Sequence, residues 1–99
     1  DDPSAPPLRT TLRGIYPNPF RQNCRLELEL AESCRLKLSV YDIRGRRIAS
    51  INDKQLPAGF YQLNWKATDT SGRTLPSGIY ILKMEAGSEV FTRKLMLLK

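Results

Sequence analysis

Two six-residue segments of the chain alternate strictly between polar and apolar side chains. Residues 25–30 read Arg-Leu-Glu-Leu-Glu-Leu, and residues 35–40 read Arg-Leu-Lys-Leu-Ser-Val. A period of two places alternate side chains on opposite faces of a β-strand, so both segments are predicted to be half-buried strands. Because only residues 31–34 lie between them, we predict that the two strands form an antiparallel hairpin.

Opposite charges set the register that we predict for this hairpin. Pairing Glu27 with Lys37 places the two charges directly across from one another, and the leucines of the two strands then share the other face. The same register leaves Cys24 and Cys34 roughly 20 Å apart, at about 3.3 Å per residue. A disulfide needs Cα atoms within about 7 Å, so we predict two unbonded thiols.

Further short strands are expected along the rest of the chain. They cover residues 46–51, 60–66, 79–85 and 89–98, with residues 8–15 as a possible edge strand and residues 52–59 and 67–78 as loops. No segment has a convincing helical period. Six or seven short strands with turn signals about every ten residues are typical of a β-sandwich, so the predicted fold class is all-β and antiparallel.

Two turn phrases occur twice. Residues 42–46 (Asp-Ile-Arg-Gly-Arg) return as residues 69–73 (Asp-Thr-Ser-Gly-Arg), and residues 56–63 return with the same Leu-Pro-x-Gly-x-Tyr pattern as residues 75–82. In such turns Asp caps its own turn, Gly supplies a positive φ, and Pro presets φ near about −65°. The repeated content is therefore backbone geometry. The predicted structural turn positions are Pro17, Pro19, Asp42, Gly45, Gly59, Asp69, Gly72 and Gly78.

The size of the chain, 99 residues, fits one small domain with a single core. Residues 1–7 (Asp-Asp-Pro-Ser-Ala-Pro-Pro) have the composition of a linker, which leaves residues 8–99 as the domain. Without an initiator Met or a signal peptide, the chain is expected to be the C-terminal piece of a longer precursor. No stretch approaches the roughly 20 apolar residues of a membrane span.

The side-chain inventory argues against catalysis and metal binding. Histidine is absent, which removes Ser-His and Cys-His pairs, and two cysteines are too few for a Cys₄ site. The loops at Asp42 and Asp69 each offer a single acid, too few for Ca²⁺. We therefore expect no catalytic residue, no metal site, no cofactor and no enzyme activity.

A net charge of +6 raises the question of nucleic-acid binding. The densest basic group is Arg44, Arg46 and Arg47, beside a turn and without interleaved aromatic residues. A solvated basic surface explains this pattern better than a nucleic-acid interface does. Weak affinity for an anionic cell envelope stays compatible with it.

Three apolar features each allow two interpretations. Residues 16–20 (Tyr-Pro-Asn-Pro-Phe) are expected to be a rigid surface turn with Phe20 tucked over the end of the sandwich; the alternative is recognition by a partner. Trp65 is expected in the core rather than as a platform for a sugar. The apolar run at residues 95–98 fits either a strand buried between neighbours or a segment that docks onto a receptor.

Five phrases stand in order along residues 8–99: those at residues 16–20, 40–46, 56–61 and 69–80, and Lys-Leu-Met-Leu-Leu-Lys at residues 94–99. Together they resemble the C-terminal sorting domain, type A, of cargo proteins of the type IX (Por) secretion system. That family is related to the Ig-like domain of flagellar hook-capping proteins. The two cysteines and Arg21-Gln22-Asn23 depart from the family pattern.

The resemblance implies a fold and a function. An Ig-like sandwich is expected to fold as a monomer in the periplasm of a Gram-negative cell. Outer-membrane machinery would then recognise it and carry a covalently linked N-terminal cargo to the cell surface. A sortase-like peptidase is implied to remove the domain in the linker and to join the cargo to anionic lipopolysaccharide. The implied recognition tail is Lys94, Leu95, Met96, Leu97, Leu98 and Lys99, part of which should stay accessible.

The competing hypothesis is an Ig-like accessory module that stays on a secreted multidomain enzyme. Such a module would bind polysaccharide or act as a spacer. A flat aromatic face would favour it. The sequence alone leaves open whether the domain is cleaved or retained, and which cargo precedes it.

Overall fold

The alternating segments of the sequence form β-strands in the computed structural model, which has seven strands in the described residues 8–99. The predicted linker at residues 1–7 lies outside the described residues. The strands are β1 (Thr11–Tyr16), β2 (Asn23–Leu30), β3 (Cys34–Tyr41), β4 (Arg47–Leu56), β5 (Gly59–Lys66), β6 (Gly78–Ala86) and β7 (Glu89–Leu97). Residues 8–99 contain no helix, and hence none long and apolar enough to cross a bilayer. The all-β prediction is confirmed.

The strands form two antiparallel sheets. One has the order β1-β2-β5, and the other has the order β4-β3-β6-β7. Apolar side chains from both sheets make one buried cluster, so the architecture is the predicted antiparallel sandwich. The fully buried large side chains are Leu12, Phe20, Leu26, Leu28, Leu30, Leu36, Leu38, Val40, Leu82, Met84, Leu95 and Leu97.

The predicted hairpin between residues 25–30 and 35–40 is wrong, because β2 and β3 lie in different sheets. Glu27 pairs with Gln62 rather than Lys37, and the Gln62 Nε2 donates to its carboxylate at 2.8 Å. Stacked sheets lie about 10 Å apart, which three extended residues at about 3.3 Å each can span. The connection at residues 31–33 therefore crosses between the sheets, and the leucines of β2 and β3 meet across the core.

Strand β4 is longer than predicted, and the expected loop at residues 52–59 is correspondingly wrong over residues 52–56. β4 is an edge strand, so much of it faces water and shows no apolar alternation. Ile48, Ala49, Ile51 and Leu56 still pack on the core. Polar contacts add to this packing: Asn52 Nδ2 donates to the Leu36 carbonyl at 2.9 Å, and Arg35 Nε donates to Asp53 Oδ1 at 2.7 Å. The other predicted strands differ from the observed ones mainly at their ends, and β1 is an edge strand as expected.

Phe20 and Trp65 close one end of the core. Phe20 is 1% exposed and Trp65 is 7% exposed. Their ring centroids lie 6.0 Å apart with the planes tilted by 50°, a favourable aromatic arrangement. Both residues therefore occupy the positions predicted from the sequence, and Trp65 is not available as a surface platform.

The two cysteines are unbonded, as predicted, although the pairing behind that prediction was wrong. Cys24 lies near the start of β2, whereas Cys34 begins β3 after the chain has run the length of β2 and changed sheets. They are consequently at opposite ends of the sandwich. Burial raises the pKa of the Cys24 thiol to about 11, while Cys34 is half-buried.

These surroundings predict unequal thiol reactivity. Because alkylation requires an accessible thiolate, Cys34 should react first and Cys24 only slowly in the native protein. Mass spectrometry during iodoacetamide treatment at about pH 8 measures both rates, and the denatured protein, in which both thiols should react, is the control. Faster labelling of Cys24, or the loss of two hydrogens that marks a disulfide, would contradict the expectation.

Candidate functional site

Residues 94–97 of the recognition tail implied by the resemblance lie on β7, and Leu98 and Lys99 follow it. β7 is an edge strand of the four-stranded sheet rather than a strand buried between neighbours. Leu95 and Leu97 point into the core and are fully buried. Lys94, Met96 and Leu98 lie on the opposite face, where Met96 is half-buried and Leu98 is 50% exposed. One strand thus contributes to the core with one face and displays a basic, apolar surface with the other.

The loop at residues 16–20 bonds the free backbone edge of this strand. Asn18 Nδ2 donates to the Lys94 carbonyl at 2.9 Å, and the Met96 N–H donates to Asn18 Oδ1 at 3.0 Å. Phe20 continues the ladder: its N–H donates to the Met96 carbonyl at 2.9 Å, and its carbonyl accepts the Leu98 N–H at 2.9 Å. We call this set of four hydrogen bonds the edge clamp.

The edge clamp shows that residues 16–20 (Tyr-Pro-Asn-Pro-Phe) also pair with the edge of β7, besides forming a surface turn. Pro17 and Pro19, both preceded by cis peptide bonds, have no N–H to offer an adjacent strand. The Asn18 side chain supplies the donor and acceptor in their place, and Lys99 is held separately by its N–H to Ser77 Oγ at 3.0 Å. Because the backbone edge of residues 94–98 is already bonded, the accessible part of this segment is its outward-facing side chains.

Asp42 organises the turn between β3 and β4. Its Oδ1 accepts the N–H groups of Arg44 and Arg46 at 2.9 and 3.0 Å, and Arg46 Nε donates to Oδ2 at 2.8 Å. Gly45 sits between them with φ of 86°, which favours glycine. The hydrogen bond from the Arg46 backbone, together with the weaker bonds and charges, holds the pKa of Asp42 below its ordinary value of 3.8.

Asp69 builds the same turn between β5 and β6. Its Oδ1 accepts from the Ser71 N–H at 2.9 Å, from the Ser71 hydroxyl at 2.7 Å and from the Arg73 N–H at 3.0 Å. Gly72 has φ of 89°, nearly that of its counterpart in the first turn. The Ser71 hydroxyl and the Arg73 N–H lower the pKa of Asp69 in turn.

The second repeated phrase places a tyrosine against its own chain. The Tyr61 hydroxyl donates to the Pro57 carbonyl at 2.5 Å, and the Tyr80 hydroxyl donates to the Pro76 carbonyl at 2.6 Å. This four-residue return resembles the tyrosine corner of Ig-like sandwiches, in which a Tyr hydroxyl bonds to the backbone a few residues upstream. Of the two phrase glycines, Gly59 has a positive φ and Gly78 does not, so a positive φ is not the shared requirement.

Most of these motifs meet at the end of the sandwich where β7 finishes. Strand direction brings the loops at residues 17–22, 42–46 and 67–77 to this end, whereas the phrase at residues 56–61 lies at the other. Thr70 ties the Asp69 turn to β4, because its N–H donates to the Ile48 carbonyl at 3.0 Å. Sequence reasoning identified the individual turns but not their convergence, which requires the topology.

A groove of about 480 Å³ opens at this end, lined by Arg21, Gln22, Lys66, Ala67, Thr74 and Lys99. Three of these side chains are cationic and none is acidic, so the groove attracts negatively charged groups. Within residues 8–99 no group of three or more Cys, Asp or Glu residues is placed to hold a metal ion. The arrangement suits the docking of a negatively charged group.

Two exposed aromatic rings lie on the outer face of the three-stranded sheet. Tyr16 is 48% exposed and Phe60 is 64% exposed. The Arg25 guanidinium lies 5.7 Å from the centre of the Tyr16 ring, and Arg13 lies at the same distance from the Phe60 ring. Cation–π contacts thus cover one face of each ring. These rings are not the bare flat platform that polysaccharide binding favours.

The chain matches the family model of the FlgD Ig-like domain over residues 20–89. That match covers well over half of the chain, which therefore belongs to the FlgD Ig-like domain family. It includes both Asp turns and both tyrosine phrases but ends before residues 94–99. No curated protein sequence matches the chain.

Solved structures from Porphyromonas gingivalis share the fold. Dimeric latent PorU superposes with a TM-score of 0.68 at 15% identity, covering 96% of this chain and 10% of PorU. PorZ, described as an essential bacterial surface component of the type-IX secretion system, gives 0.59 at 16% identity, covering 87% of this chain and 11% of PorZ. The chain thus spans about a tenth of either protein, and at these identities the likeness is one of fold.

Asn18 provides a direct test of the edge clamp. Asn18→Ala removes both side-chain bonds to β7, so the Met96 amide should exchange hydrogen faster. The free energy of unfolding should fall by about 1–3 kcal/mol, since a typical hydrogen bond contributes about 0.5–1.5. The Leu95 amide, on a residue paired with Tyr80 of β6, is the internal reference. Asn64→Ala, on the exposed face of β5, is the matched control; equal Met96 exchange in both variants would refute the clamp.

The two Asp turns predict a loss of stability in acid. Because folding lowers both pKa values, the stability they contribute is present above the unfolded value of about 3.8 and is lost as pH falls through the lower folded values. Melting temperatures between about pH 7 and pH 2 should therefore fall less steeply in the double variant Asp42→Asn, Asp69→Asn than in the unmodified protein. Asp53, whose pKa Arg35 also lowers, should leave a residual slope. Identical slopes would contradict the role of the two turns.

Proposed function

We propose that this member of the FlgD Ig-like domain family is the sorting domain of a cargo protein exported through the type IX secretion system. Outer-membrane machinery reads residues 94–99 and carries across an N-terminal cargo linked through residues 1–7. The observation that carries the proposal is the edge strand β7. The side chains of Lys94 on β7 and of Leu98 just after it are exposed and Met96 is half-exposed, while the backbone edge of residues 94–98 is already bonded by the edge clamp.

Three features support this proposal. Five phrases of the sequence resemble type IX sorting domains, and the fold resembles domains of PorU and PorZ. The edge clamp adds a physical link between two of those phrases, because residues 16–20 bond directly to residues 94–98. A loop and a tail that contact each other form one surface, which a single partner can recognise.

The proposed route follows from the resemblance. The domain folds as a monomer in the periplasm of a Gram-negative cell and reaches the cell surface with its cargo. A sortase-like peptidase then cuts within residues 1–7 and transfers the cargo to anionic lipopolysaccharide. The route needs no cofactor, metal or catalytic group from this domain.

The accessory-module alternative has less support from the described residues. Its discriminating feature is a flat aromatic face, but Trp65 is buried and arginines cover the rings of Tyr16 and Phe60. A polysaccharide-binding role would therefore need a different surface.

Export of a reporter tests the sorting function. Residues 1–99 are fused to the C-terminus of a reporter enzyme and expressed in a type IX-competent cell, and reporter activity is measured on the surface and in the medium. Deleting the tail is a poor variant because Leu97 is fully buried. The double change Leu98→Ala, Lys99→Ala keeps the core, and we expect it to reduce export strongly while changing stability by about 0.5 kcal/mol or less.

The matched control carries an equivalent change away from the tail. Val90 is 56% exposed, close to the 50% of Leu98, and Lys37 is an exposed lysine on the same sheet. Val90→Ala, Lys37→Ala should be exported like the unmodified fusion. Normal export of the tail variant would refute recognition of the tail, and failure of the unmodified fusion to leave the cell would refute the sorting function.

A further inference from the structure

The outer face of the four-stranded sheet has a polar half and an apolar half. The polar half pairs its charges internally, with Arg35 bonded to Asp53 at 2.7 Å and Lys83 lying 3.8 Å from Glu85. The apolar half surrounds the end where β7 finishes. We call it the apolar patch, and it consists of Tyr41, Ile43, Ile79, Ile81, Met96 and Leu98.

The strand register makes the apolar patch continuous. Ile81 of β6 lies between Tyr41 of β3 and Lys94 of β7, and Ile79 pairs with Met96. Leu98 follows Met96 on the same face of the chain. A groove of about 360 Å³ is lined by Tyr41, Asp42, Ile43, Gly45, Ile81, Lys83 and Thr92, which brings the turn residue Ile43 beside the sheet.

Three residues of the apolar patch are exposed to solvent, and the other three are half-buried. Ile43 is 77% exposed, Ile79 is 41% exposed and Leu98 is 50% exposed. Scattered exposed apolar residues are ordinary, but a contiguous set rimmed by polar groups is typical of an interaction surface. Three of the six large apolar residues that are exposed within residues 8–99 belong to this patch.

Positive charge predominates around the patch. Lys94 lies within it, and Arg44 stands in the adjoining turn, both exposed. The nearby carboxylate of Asp42 is already used, because it accepts hydrogen bonds from its own turn and pairs with Arg46 at 2.8 Å. A partner that complements this surface therefore needs apolar side chains with acidic groups beside them.

We propose that the apolar patch is the docking surface for a protein of the export apparatus whose own contact surface is apolar with an acidic rim. The inference rests on the proposed sorting function and extends its recognition surface beyond residues 94–99. Tyr41, Ile43, Ile79 and Ile81 enlarge the contact onto β3, β6 and the Asp42 turn. The edge clamp excludes addition of a partner strand along residues 94–98, so the contact is made through side chains.

Charge-introducing variants of the reporter fusion test this surface. Ile43→Glu alters an exposed turn residue, and Ile79→Glu alters the sheet. The loss of a central interface residue weakens binding about tenfold or more, so we expect export to fall by about that factor in each variant. Val90→Glu, on the polar half of the same face, and Phe60→Glu, on the other sheet, are controls that should be exported normally.

A second pair of variants tests whether the contact surface of the partner has an acidic rim. Lys94→Glu should reduce export, while Lys94→Arg should retain it, since only the first reverses the charge. Lys37→Glu is the matched control on the polar half. Melting temperatures and circular dichroism of the purified domains check that each variant folds. Ile43 lies in an exposed turn, so Ile43→Glu is expected to fold and still tests the surface if Ile79→Glu unfolds.

The outcomes separate the two proposals. If the unmodified fusion is not exported, the sorting function and this inference both fail. If it is exported and Ile43→Glu and Lys94→Glu are exported equally well, the sorting function stands and the apolar patch is not its docking surface. Binding of the purified domain to phosphatidylglycerol vesicles that is lost in Ile43→Glu would instead identify a lipid surface as the occupant and overturn the protein partner.

Discussion

The four hydrogen bonds between residues 16–20 and the edge of β7 pair the backbone groups of residues 94–98 and leave the outward-facing side chains of that segment as its accessible surface. An exposed sheet edge is a row of unpaired donors and acceptors that invites another strand. Here Asn18 and Phe20 occupy that row along residues 94–98. The loop also delivers Phe20 to the core beside Trp65. Closing the edge and closing the end of the core are therefore tasks of one five-residue segment.

Alternation in the sequence predicted the faces of the strands correctly but not all of their neighbours. The leucines of β2 and β3 are buried whether the strands lie side by side or face each other across the core, so the pattern could not distinguish these arrangements. The connections do differ. The true hairpin between β6 and β7 has Gly87 with a positive φ, whereas residues 31–33 contain no glycine. Tight hairpins favour a glycine with a positive φ, so the lack of glycine in residues 31–33 argues against a hairpin between β2 and β3.

The sequence alone predicts those parts of the candidate site whose contacting residues lie close together along the chain. The Asp42 turn closes within five residues, so its spacing alone indicates its geometry. The contact between Asn18 and Met96 joins residues 78 positions apart, and no local pattern specifies it. The apolar patch is likewise invisible in the sequence, because Tyr41, Ile79 and Met96 become neighbours only through the register of three strands.

A single strand can serve both folding and recognition because its side chains alternate. Leu95 and Leu97 tie β7 to the core, and Lys94, Met96 and Leu98 are displayed outward from the same backbone. The proposed docking surface adds residues from β3 and β6, so it exists only when these strands are paired. An unfolded chain would carry the same tail residues without this composite surface. On the proposed function, reading the tail together with its neighbours would make export conditional on a folded domain, whereas a linear signal would carry no such information.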